Sequence, residues 1–474
     1  MKKAVFWWMG GIVLLEFVSR LVVFYPMADA IAAITLGLIV LLVSIRRPTL
    51  ALSVIAVEYV IGSMGSLLKI GDDANHHGIA LRIVLFAAFM TGWFVWSVRN
   101  RTWKEWRSYL EGRRIYLWLA ALLIYAFVLG WMRGNHQYLI PDANAWGVLL
   151  LLLPVIDLAR HASEALKKDI GPAFIAALFW LPIKTLIVLF AFSHQLAFID
   201  SPFYLWLRQT GVGEVTKITD FAYRIFFQSQ IYAVFVVLFA FAAIRSRLKF
   251  SRWMWALLAL SVGVVFISLS RSFWIGLAVG LVLIAVVVKR NWLPAIAGMA
   301  GAGLLGLALV WIVMAVPIGK TDPMAFVSLF SSRVEAGEPA ALSRWQLLPI
   351  AWNKIREHPI LGSGFGSAVT YQSRDPRLIE RNGGWNTTYA IEWGWLEFWI
   401  KFGVFGIFLF LFLLANLIRR LWRSDLSDWF RVASVATIVA LTSIHFFTPY
   451  LNHPLGFFIL FAAEAVLESQ KKPL

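Results

Sequence analysis

Long apolar runs separated by short polar segments make up most of the chain, apart from one long hydrophilic stretch at 317–391. Apolar runs of about 18 or more residues are long enough to cross the hydrocarbon core of a bilayer as helices. The pattern therefore predicts an all-α polytopic membrane protein with about 12–14 transmembrane helices. It divides the chain into helices 1–11 at residues 1–316, a large loop of short helices at 317–391 and C-terminal transmembrane helices at 392–474.

The positive charges are distributed unevenly between the two ends of the predicted helices. Of the 43 Lys and Arg residues, 25 lie in the predicted cytoplasmic segments, five lie in the short external loops, and eight more lie in 317–391. Short cytoplasmic loops of membrane proteins carry an excess of Lys and Arg, whereas long translocated loops are exempt. We therefore expect both termini in the cytoplasm and 317–391 outside. Membrane topology then accounts for much of the net charge of +17, and we expect no nucleic-acid partner.

The amino-acid composition is typical of a protein that lies largely within a bilayer. The chain is 60% hydrophobic and only 15% charged, with a mean hydropathy of +0.75, which excludes an ordinary soluble domain. Cysteine is absent, so disulfides and thiolate metal sites are excluded. The histidines are few and scattered, and we expect neither a metal nor a cofactor.

Two arginines interrupt the apolar pattern at the external side. Arg271, in "SLSRSFWIG", lies at the turn of a predicted helical hairpin, and Arg224, in "DFAYRIFFQSQIY", lies within the preceding span. A charge inside the membrane costs at least ~2.5–3.5 kcal/mol, so two arginines at one level indicate a shared anionic partner. The planar guanidinium suits phosphate because it binds two oxygens at once. The alternative is that Arg271 extends to the lipid headgroups.

The hydrophilic stretch 317–391 has an ordered pattern. Trp345, Leu348, Trp352 and Ile355 recur at helical spacing and predict a short helix with one apolar face. "GSGFGS" then predicts a tight turn; a phosphate-cradling loop is a weaker alternative, since no strand precedes it and no Lys-Ser/Thr follows. The stretch is either an inert lid or functional, and loops of this length are more often functional.

The motif "SRSFWIG", followed by "HPILGSGFGS" and "WLEFWIKFGVFG", resembles in order and spacing the bacterial O-antigen ligase and O-antigen polymerase family. The resemblance implies a GT-C-like glycosyltransferase of the bacterial inner membrane with its active site outside the cytoplasm. It implies an undecaprenyl-diphosphate-linked oligosaccharide donor, a hydroxyl acceptor on a glycan, lipid A core or protein, and inverting transfer without a metal. Ligase and polymerase share these motifs, and ligase-like transfer is slightly favoured.

The resemblance also implies roles for particular residues. Arg224, Arg271 and Arg344 would stabilise the diphosphate leaving group. The family presents a histidine as the general base at the start of the helix that follows the loop, and Glu392 occupies that position in "EWGWLEFW". Glu392 is therefore the expected base, with helix capping as the alternative role.

Predictions for four other residues near these motifs are less specific. His358, Tyr389 and Trp395 are further candidates for the site. Glu397 is expected on a different helix face from Glu392.

Ionisable residues elsewhere in the apolar segments are expected to have structural roles. Glu58 and Arg82 lie in neighbouring predicted spans and are expected to pair. His445 and His453 are expected at the membrane interface, with an approach to the site as the alternative. A lipid-linked glycan flippase and a transporter remain alternative functions, although internal repeats are not evident; transfer by the purified protein in detergent would distinguish an enzyme from either.

Overall fold

The computed structural model describes residues 1–71, 78–289, 291–334, 339–373, 379–380 and 383–471, with the backbone alone at 330–334 and 339–344. Within these residues the chain is almost entirely helical. The helices are α1 Lys2–Val22, α2 Pro26–Arg46, α3 Pro48–Ile61, α4 Leu81–Asn100, α5 Trp106–Glu111, α6 Arg114–Met132, α7 His136–Asn144, α8 Leu152–His161, α9 Ser163–Ser193, α10 Pro202–Gln209, α11 Ile231–Arg245, α12 Arg252–Ile267, α13 Arg271–Val287, α14 Trp292–Ala315, α15 Ala325–Val334, α16 Pro339–Glu357, α17 Gly394–Trp422, α18 Asp428–Phe447 and α19 Pro454–Glu468.

Three short antiparallel hairpins complete the described structure. They pair β1 Lys69–Ile70 with β2 Ile79–Ala80, β3 Glu214–Lys217 with β4 Tyr223–Phe226, and β5 Val369–Gln372 with β6 Trp385–Thr388. In the part of the chain that the structure describes, ten helices are long and apolar enough to cross a membrane, and three shorter apolar helices accompany them. The protein is an all-α polytopic membrane protein, as the apolar pattern predicts.

Successive long helices run in opposite directions, so the bundle has two distinct ends. We call the end that carries 317–391 the loop end. The first helix, α1, begins at the opposite end, and α19 runs from the loop end to the opposite end. Proline at the first position of α2, α3 and α19 helps to start these helices because its fixed φ suits a first turn and its missing N–H has no helical partner there.

Small residues allow the helices to approach closely. A Cβ on Gly263 of α12 would lie 2.9 Å from the Gly306 carbonyl oxygen of α14. A Cβ on Gly276 of α13 would lie 2.3 Å from Ile444 of α18. Such glycines bring helix backbones together where the bilayer provides no hydrophobic driving force for association.

Buried charges in the bundle form pairs or networks. Arg82 donates to both carboxylate oxygens of Glu58 at 2.8 and 3.0 Å, which confirms the predicted pair. At the opposite end, Arg113 binds Glu464 and Glu468 at 2.9 and 2.6 Å and thereby ties α6 to α19. Pairing is expected because an isolated charge in this environment is costly.

Two predicted spans are not the single helices that the apolar runs indicate. The apolar run at 145–159 is part of a longer broken segment, in which α7 and α8 are joined by a tighter 3-10 turn at Ala145–Leu151. The apolar run that contains Arg224 begins as strand β4, in which Tyr223 and Ile225 are more buried than Arg224 and Phe226, which alternate with them. The prediction that Arg224 lies within a helical span is therefore wrong.

Candidate functional site

The hydrophilic segment contains the predicted helix, but a different face of that helix is buried. On α16, Leu347, Ala351 and Ile355 pack into a small core with Val369 of β5, Ile391, Trp393 and Ile400. Trp345 and Trp352 remain 64% and 43% exposed, so the predicted stripe is wrong in two of its four members, whereas Ile355 is buried and Leu348 packs partly buried against this core. The indole rings instead lie at the edge of this core, where Trp345 contacts Trp393 and Trp352 contacts Trp399.

Residues 362–367, which we call the glycine segment, dock this region onto the transmembrane bundle. The backbone N–H of Ser363 donates to the Ile400 carbonyl at 2.6 Å, and that of Gly364 donates to Lys401 at 3.0 Å. The N–H of Phe365 reaches Ala126 of α6, and that of Gly366 reaches the Asp142 carboxylate of α7. All four amides are engaged by protein acceptors, so this segment is not a phosphate cradle.

The glycine segment meets α17 where that helix is broken. Gly403 has φ 67° and ψ −173°, which interrupts the helical hydrogen bonds after Lys401. The carbonyls exposed by this break are those that Ser363 and Gly364 bind. A buried break in a helix requires such partners, because unpaired backbone groups are strongly unfavourable in a membrane.

Replacing Gly364 by alanine should destabilise this docking more than the same change at Gly383. Both glycines have positive φ, 80° and 69°, so both variants incur left-handed strain of roughly 1–2 kcal/mol. A Cβ on Gly364 would also lie 2.5 Å from the Gly130 nitrogen, whereas one on Gly383 would meet nothing within 4 Å. We expect a lower Tm and faster proteolysis of the loop for Gly364→Ala. Equal behaviour of the two variants would contradict this docking.

Beneath the glycine segment lies a buried ionic cluster. The Lys401 ammonium donates to Asp142 Oδ1 at 2.5 Å and to Glu397 one turn earlier in α17. Asn452, between α18 and α19, donates to Glu397 at 2.7 Å, and the Ile391 N–H donates to the second Glu397 oxygen at 3.1 Å. Lys401 and Glu397 are each 1% exposed. The cluster thus joins α7, α17 and the α18–α19 connection around one cation and two carboxylates.

This cluster forms part of the wall of a cavity of about 480 Å³, which we call the loop-end cavity. That volume lies within the range of about 300–1,000 Å³ typical of small-molecule pockets. Its lining combines aromatic rings with polar groups: Tyr59, Arg82, Asp142, Asn144, Trp146, Gln228, Tyr389, Glu397, Thr448, Tyr450, Asn452 and His453.

Tyr389 and His453 are titratable side chains of the lining that lie outside the membrane-spanning helices. Burial, with a smaller contribution from the negative charge of Asp142, raises the pKa of Tyr389, so its phenol stays protonated. Burial, with a smaller contribution from Arg82, lowers the pKa of His453 to about 3. His453 is therefore neutral near pH 7, and its Nδ1 accepts the Leu455 N–H at the start of α19.

A larger cavity of about 920 Å³ lies between α9, α11, α18 and α19 and extends toward the opposite end. Its lining is mostly aromatic and aliphatic, including Phe174, Phe235, Phe239 and Phe458. It is large enough for a hydrocarbon chain, but few of its lining side chains are polar groups that could bind or transfer a proton. Size alone is therefore a poor guide to the site, and the smaller loop-end cavity is the chemical candidate.

The two arginines singled out by the sequence converge on one turn. Arg224 of β4 donates from Nε to the Ser268 carbonyl at 2.8 Å, and its guanidinium lies 4.8 Å from the centre of the Phe226 ring. Residues 268–271, the arginine turn, end with Arg271 as the first residue of α13. Arg271 is exposed and Arg224 is partly buried. A strand and a helix terminus thus bring the two cations to the same turn.

The arginine turn adjoins the loop-end cavity. Ser272, next to Arg271, accepts a hydrogen bond of 3.0 Å from Thr448, which lines the cavity. Phe273 packs against Tyr450, whose hydroxyl donates to the Gln228 carbonyl at 2.8 Å. The arginine turn and the cavity are therefore neighbouring parts of one loop-end site.

Glu392 lies at the same end of the bundle and is exposed. Its neighbour Trp393 packs on Phe446 and Phe447, directly before Thr448. Two residues earlier, Ala390 lines the cavity, so Glu392 is close to the cavity rim in the chain. The α17 helix starts at Gly394, after Glu392.

The remaining predicted residues are dispersed around this site. Tyr389 lines the cavity, Trp395 packs partly buried on Phe398 and His445, and His358 is exposed just after α16. Arg344 lies on α16, but its side chain is outside the described residues.

Glu397, expected on a different helix face from Glu392, lines the cavity. The histidines expected at the membrane interface also differ. His445 is fully buried and accepts the N–H groups of Tyr450 and Leu451, while His453 lines the cavity.

Asp142, Glu397 and Lys401 are the residues that sequence reasoning missed. The usable signal was their charge within apolar segments, since intramembrane ionisable residues are usually paired or functional. Glu397 and Lys401 are one helical turn apart, but Asp142 lies far from both in the chain, so the cluster itself could not be seen. Across the described part of the chain, no group of three or more His, Asp or Glu side chains is placed to hold a metal ion.

Comparison with known proteins gives one result. Neither a curated protein nor a solved structure matches the chain. Residues 256–411 match a family model described as O-antigen ligase (Wzy_C), and this stretch contains the arginine turn, the glycine segment, Glu392 and Lys401. Residues 256–411 are thus similar to the O-antigen ligase family, which supports assigning this part of the chain to a family of glycosyltransferase-like membrane enzymes.

Proposed function

We propose that this membrane glycosyltransferase moves a glycan from undecaprenyl diphosphate to an acceptor hydroxyl at the loop end of the bundle. In this proposal the loop end faces outward from the bacterial inner membrane, both termini are cytoplasmic, and 317–391 carries part of the active site. The observation that carries it is the convergence of Arg224 and Arg271 on one turn beside a polar cavity. The family match covers this turn.

The leaving group requires stabilisation of negative charge. A diphosphate gains charge as its bond to the anomeric carbon breaks, and fixed cations aimed at it lower the barrier. Arg224 and Arg271 provide two guanidinium groups, with Arg344 of α16 proposed as a third. Arg271 also stands at the start of α13, where the helix dipole favours an anion. These features support diphosphate binding without a metal.

The acceptor hydroxyl must lose a proton as it attacks. Glu392 is proposed as the general base, because it precedes α17 near the cavity rim and its carboxylate can accept that proton. The hydroxyl oxygen forms the new bond to the anomeric carbon as the bond to the diphosphate oxygen breaks on the opposite side. A single displacement of this kind inverts the anomeric configuration. His358, Tyr389 and Trp395 are proposed as secondary contributors.

We infer ligase-like transfer, with polymerisation of the glycan by an enzyme of the same family as the alternative. The deciding experiment is transfer by the purified protein in detergent from a carrier-linked oligosaccharide. Product formation supports an enzyme, since transport requires two compartments. Movement of the donor across proteoliposome membranes without any transfer product would support a flippase or transporter.

Topology can be tested by cysteine labelling because the chain has no cysteine. Asn353 of α16 and Ser108 of α5 are both exposed and lie at opposite ends of the bundle. We expect an Asn353→Cys variant to react with an impermeant maleimide in spheroplasts, where the outer membrane is opened. The Ser108→Cys variant should react only after the inner membrane is permeabilised, and the reverse pattern would overturn the orientation.

A further inference from the structure

We propose that the loop-end cavity binds one uncharged, hydroxyl-rich sugar ring, held by Asp142, Glu397, Asn452 and Tyr389. Because this ligand is a substrate of the transfer proposed above, its identity rests on that proposed function. The ring belongs either to the acceptor or to the donor glycan next to the diphosphate. Both sources share the same chemistry, and the experiment below separates them.

The charge of the cavity disfavours an anionic ligand. Among the described residues, the charged ones that line it are Arg82, Asp142 and Glu397, and their ion-pair partners are Glu58 and Lys401. When all are ionised, three carboxylates stand against two cations. His453 adds no charge because its pKa of about 3 leaves it neutral. A diphosphate would meet a net negative wall here, so it belongs at the arginine turn, and the cavity suits a neutral ligand.

The polar groups of the wall retain hydrogen-bonding capacity after their contacts with the protein are counted. An ionised carboxylate has about four acceptor sites. Glu397 uses three, for Lys401, Asn452 and the Ile391 N–H, and Asp142 uses two, for Lys401 and the Gly366 N–H. The remaining acceptor sites can receive sugar hydroxyls.

Donors on the same wall complement these acceptors. Asn452 uses one N–H for Glu397 and keeps a second N–H and its carbonyl oxygen. Tyr389 retains its phenolic proton. His453 is neutral with Nδ1 accepting the Leu455 N–H, so its proton is on Nε2. Mixed donors and acceptors suit hydroxyl groups, which both donate and accept.

Aromatic rings provide the apolar part of such a site. Trp146, Tyr59 and Tyr450 line the cavity together with Tyr389, whose ring is supported by Tyr138 at 5.4 Å. Ligand pockets generally combine apolar and aromatic walls with a few polar groups that fix orientation. The flat, apolar face of a sugar ring fits against aromatic walls while its equatorial hydroxyls reach the carboxylates.

The cavity lies next to both the proposed diphosphate site and the proposed base. Thr448 joins the cavity wall to the arginine turn, and Ala390 joins it to the segment that carries Glu392. A ring seated in the cavity is thus placed between the proposed diphosphate site and the proposed base. Asp142, Glu397 and Asn452 are then positioning and specificity residues, and a purely structural role of the cluster is the competing explanation.

Asn452→Ala separates these explanations, with Asn386→Ala as its matched control. Asn386 of β6 also donates a side-chain hydrogen bond, to Tyr371 at 3.2 Å, but lies outside the cavity. We expect Asn452→Ala to raise KM for one saccharide substrate by about 10-fold, on the scale of a lost hydrogen bond, with kcat changed less than about 3-fold. Asn386→Ala should change neither constant.

The substrate whose KM rises identifies the source of the ring. A rise confined to the acceptor assigns it to the acceptor, and a rise confined to the donor assigns it to the donor glycan. Inhibition by inorganic pyrophosphate should be unchanged in Asn452→Ala and weakened in Arg271→Lys. A fall in kcat with both KM values unchanged, or weaker pyrophosphate inhibition in Asn452→Ala, would overturn the sugar-ring assignment.

Calorimetric binding provides a readout that does not depend on turnover. The probes are the oligosaccharide released from the carrier by mild acid and the free acceptor glycan, with Glu397→Gln as a second variant. We expect at least one probe to bind the parent and to bind both cavity variants, once each is shown to be folded, about 10-fold or more weakly. Binding that is cavity-dependent without any transfer would reject the proposed function alone. Failure of both probes to bind the parent, or equal binding by the folded variants, would reject the sugar site.

Discussion

Replacing Glu392 by glutamine should lower the turnover number by about 10²–10⁴-fold while leaving affinity for the lipid-linked donor unchanged. Glutamine keeps the size and hydrogen-bonding shape of the side chain but cannot accept the hydroxyl proton. Glu392 is exposed and precedes α17, so the substitution should not disturb folding. The measurement is single-turnover transfer with donor binding determined separately.

Two variants make this result interpretable. Glu392→His should retain part of the activity, because imidazole is also a general base and occupies this position in the family. Glu357→Gln is the matched control, since Glu357 is also exposed at the loop end and pairs with Lys354 at 2.6 Å across one turn of α16. Such exposed pairs contribute little, so its turnover should stay near that of the parent. Parent-like turnover by Glu392→Gln with normal donor binding would place the base elsewhere, with His358 as the next candidate.

Replacing Arg271 by lysine should reduce transfer by about 10- to 150-fold, corresponding to about 1.5–3 kcal/mol for a charge-assisted hydrogen bond. Lysine retains the charge but lacks the planar pair of donors that binds two phosphate oxygens. Arg224→Lys should also disrupt the contact with the Ser268 carbonyl, so its effect combines lost phosphate binding with a displaced turn. The measurement is kcat/KM for the donor, together with inhibition by pyrophosphate.

The control for the arginines is Arg46→Ala. Arg46 is the last residue of α2 and is exposed at the opposite end of the bundle, far from the arginine turn in the fold. Its loss should leave transfer nearly unchanged. Equal losses for Arg46→Ala and Arg271→Lys would indicate general damage to the membrane fold rather than a diphosphate site.

The pattern of apolar runs was sufficient to predict the fold class, because twenty or so apolar residues have one stable solution in a bilayer, a hydrogen-bonded helix. The same reasoning predicted the Glu58–Arg82 pair, since unpaired charges are unfavourable there. It failed at Arg224, where an apolar run of mixed aromatic and β-branched residues forms a strand before its helix begins. Hydropathy measures where a segment partitions and carries little information on its backbone conformation.

The sequence by itself determined the membrane class, the order of the helices and, through short motifs, the family to which residues 256–411 belong. Only the tertiary structure decided that Asp142, Glu397 and Asn452, which are separated by up to 310 positions, meet around Lys401 at the wall of one cavity. Local periodicity and composition act over a few turns of helix, whereas these contacts depend on how whole helices cross. The break at Gly403 illustrates the difference, because the glycine itself is visible in the sequence. The backbone carbonyls that the break exposes are bound by the glycine segment, which lies about 40 residues earlier in the chain. Only the packing of the folded chain identifies this partner.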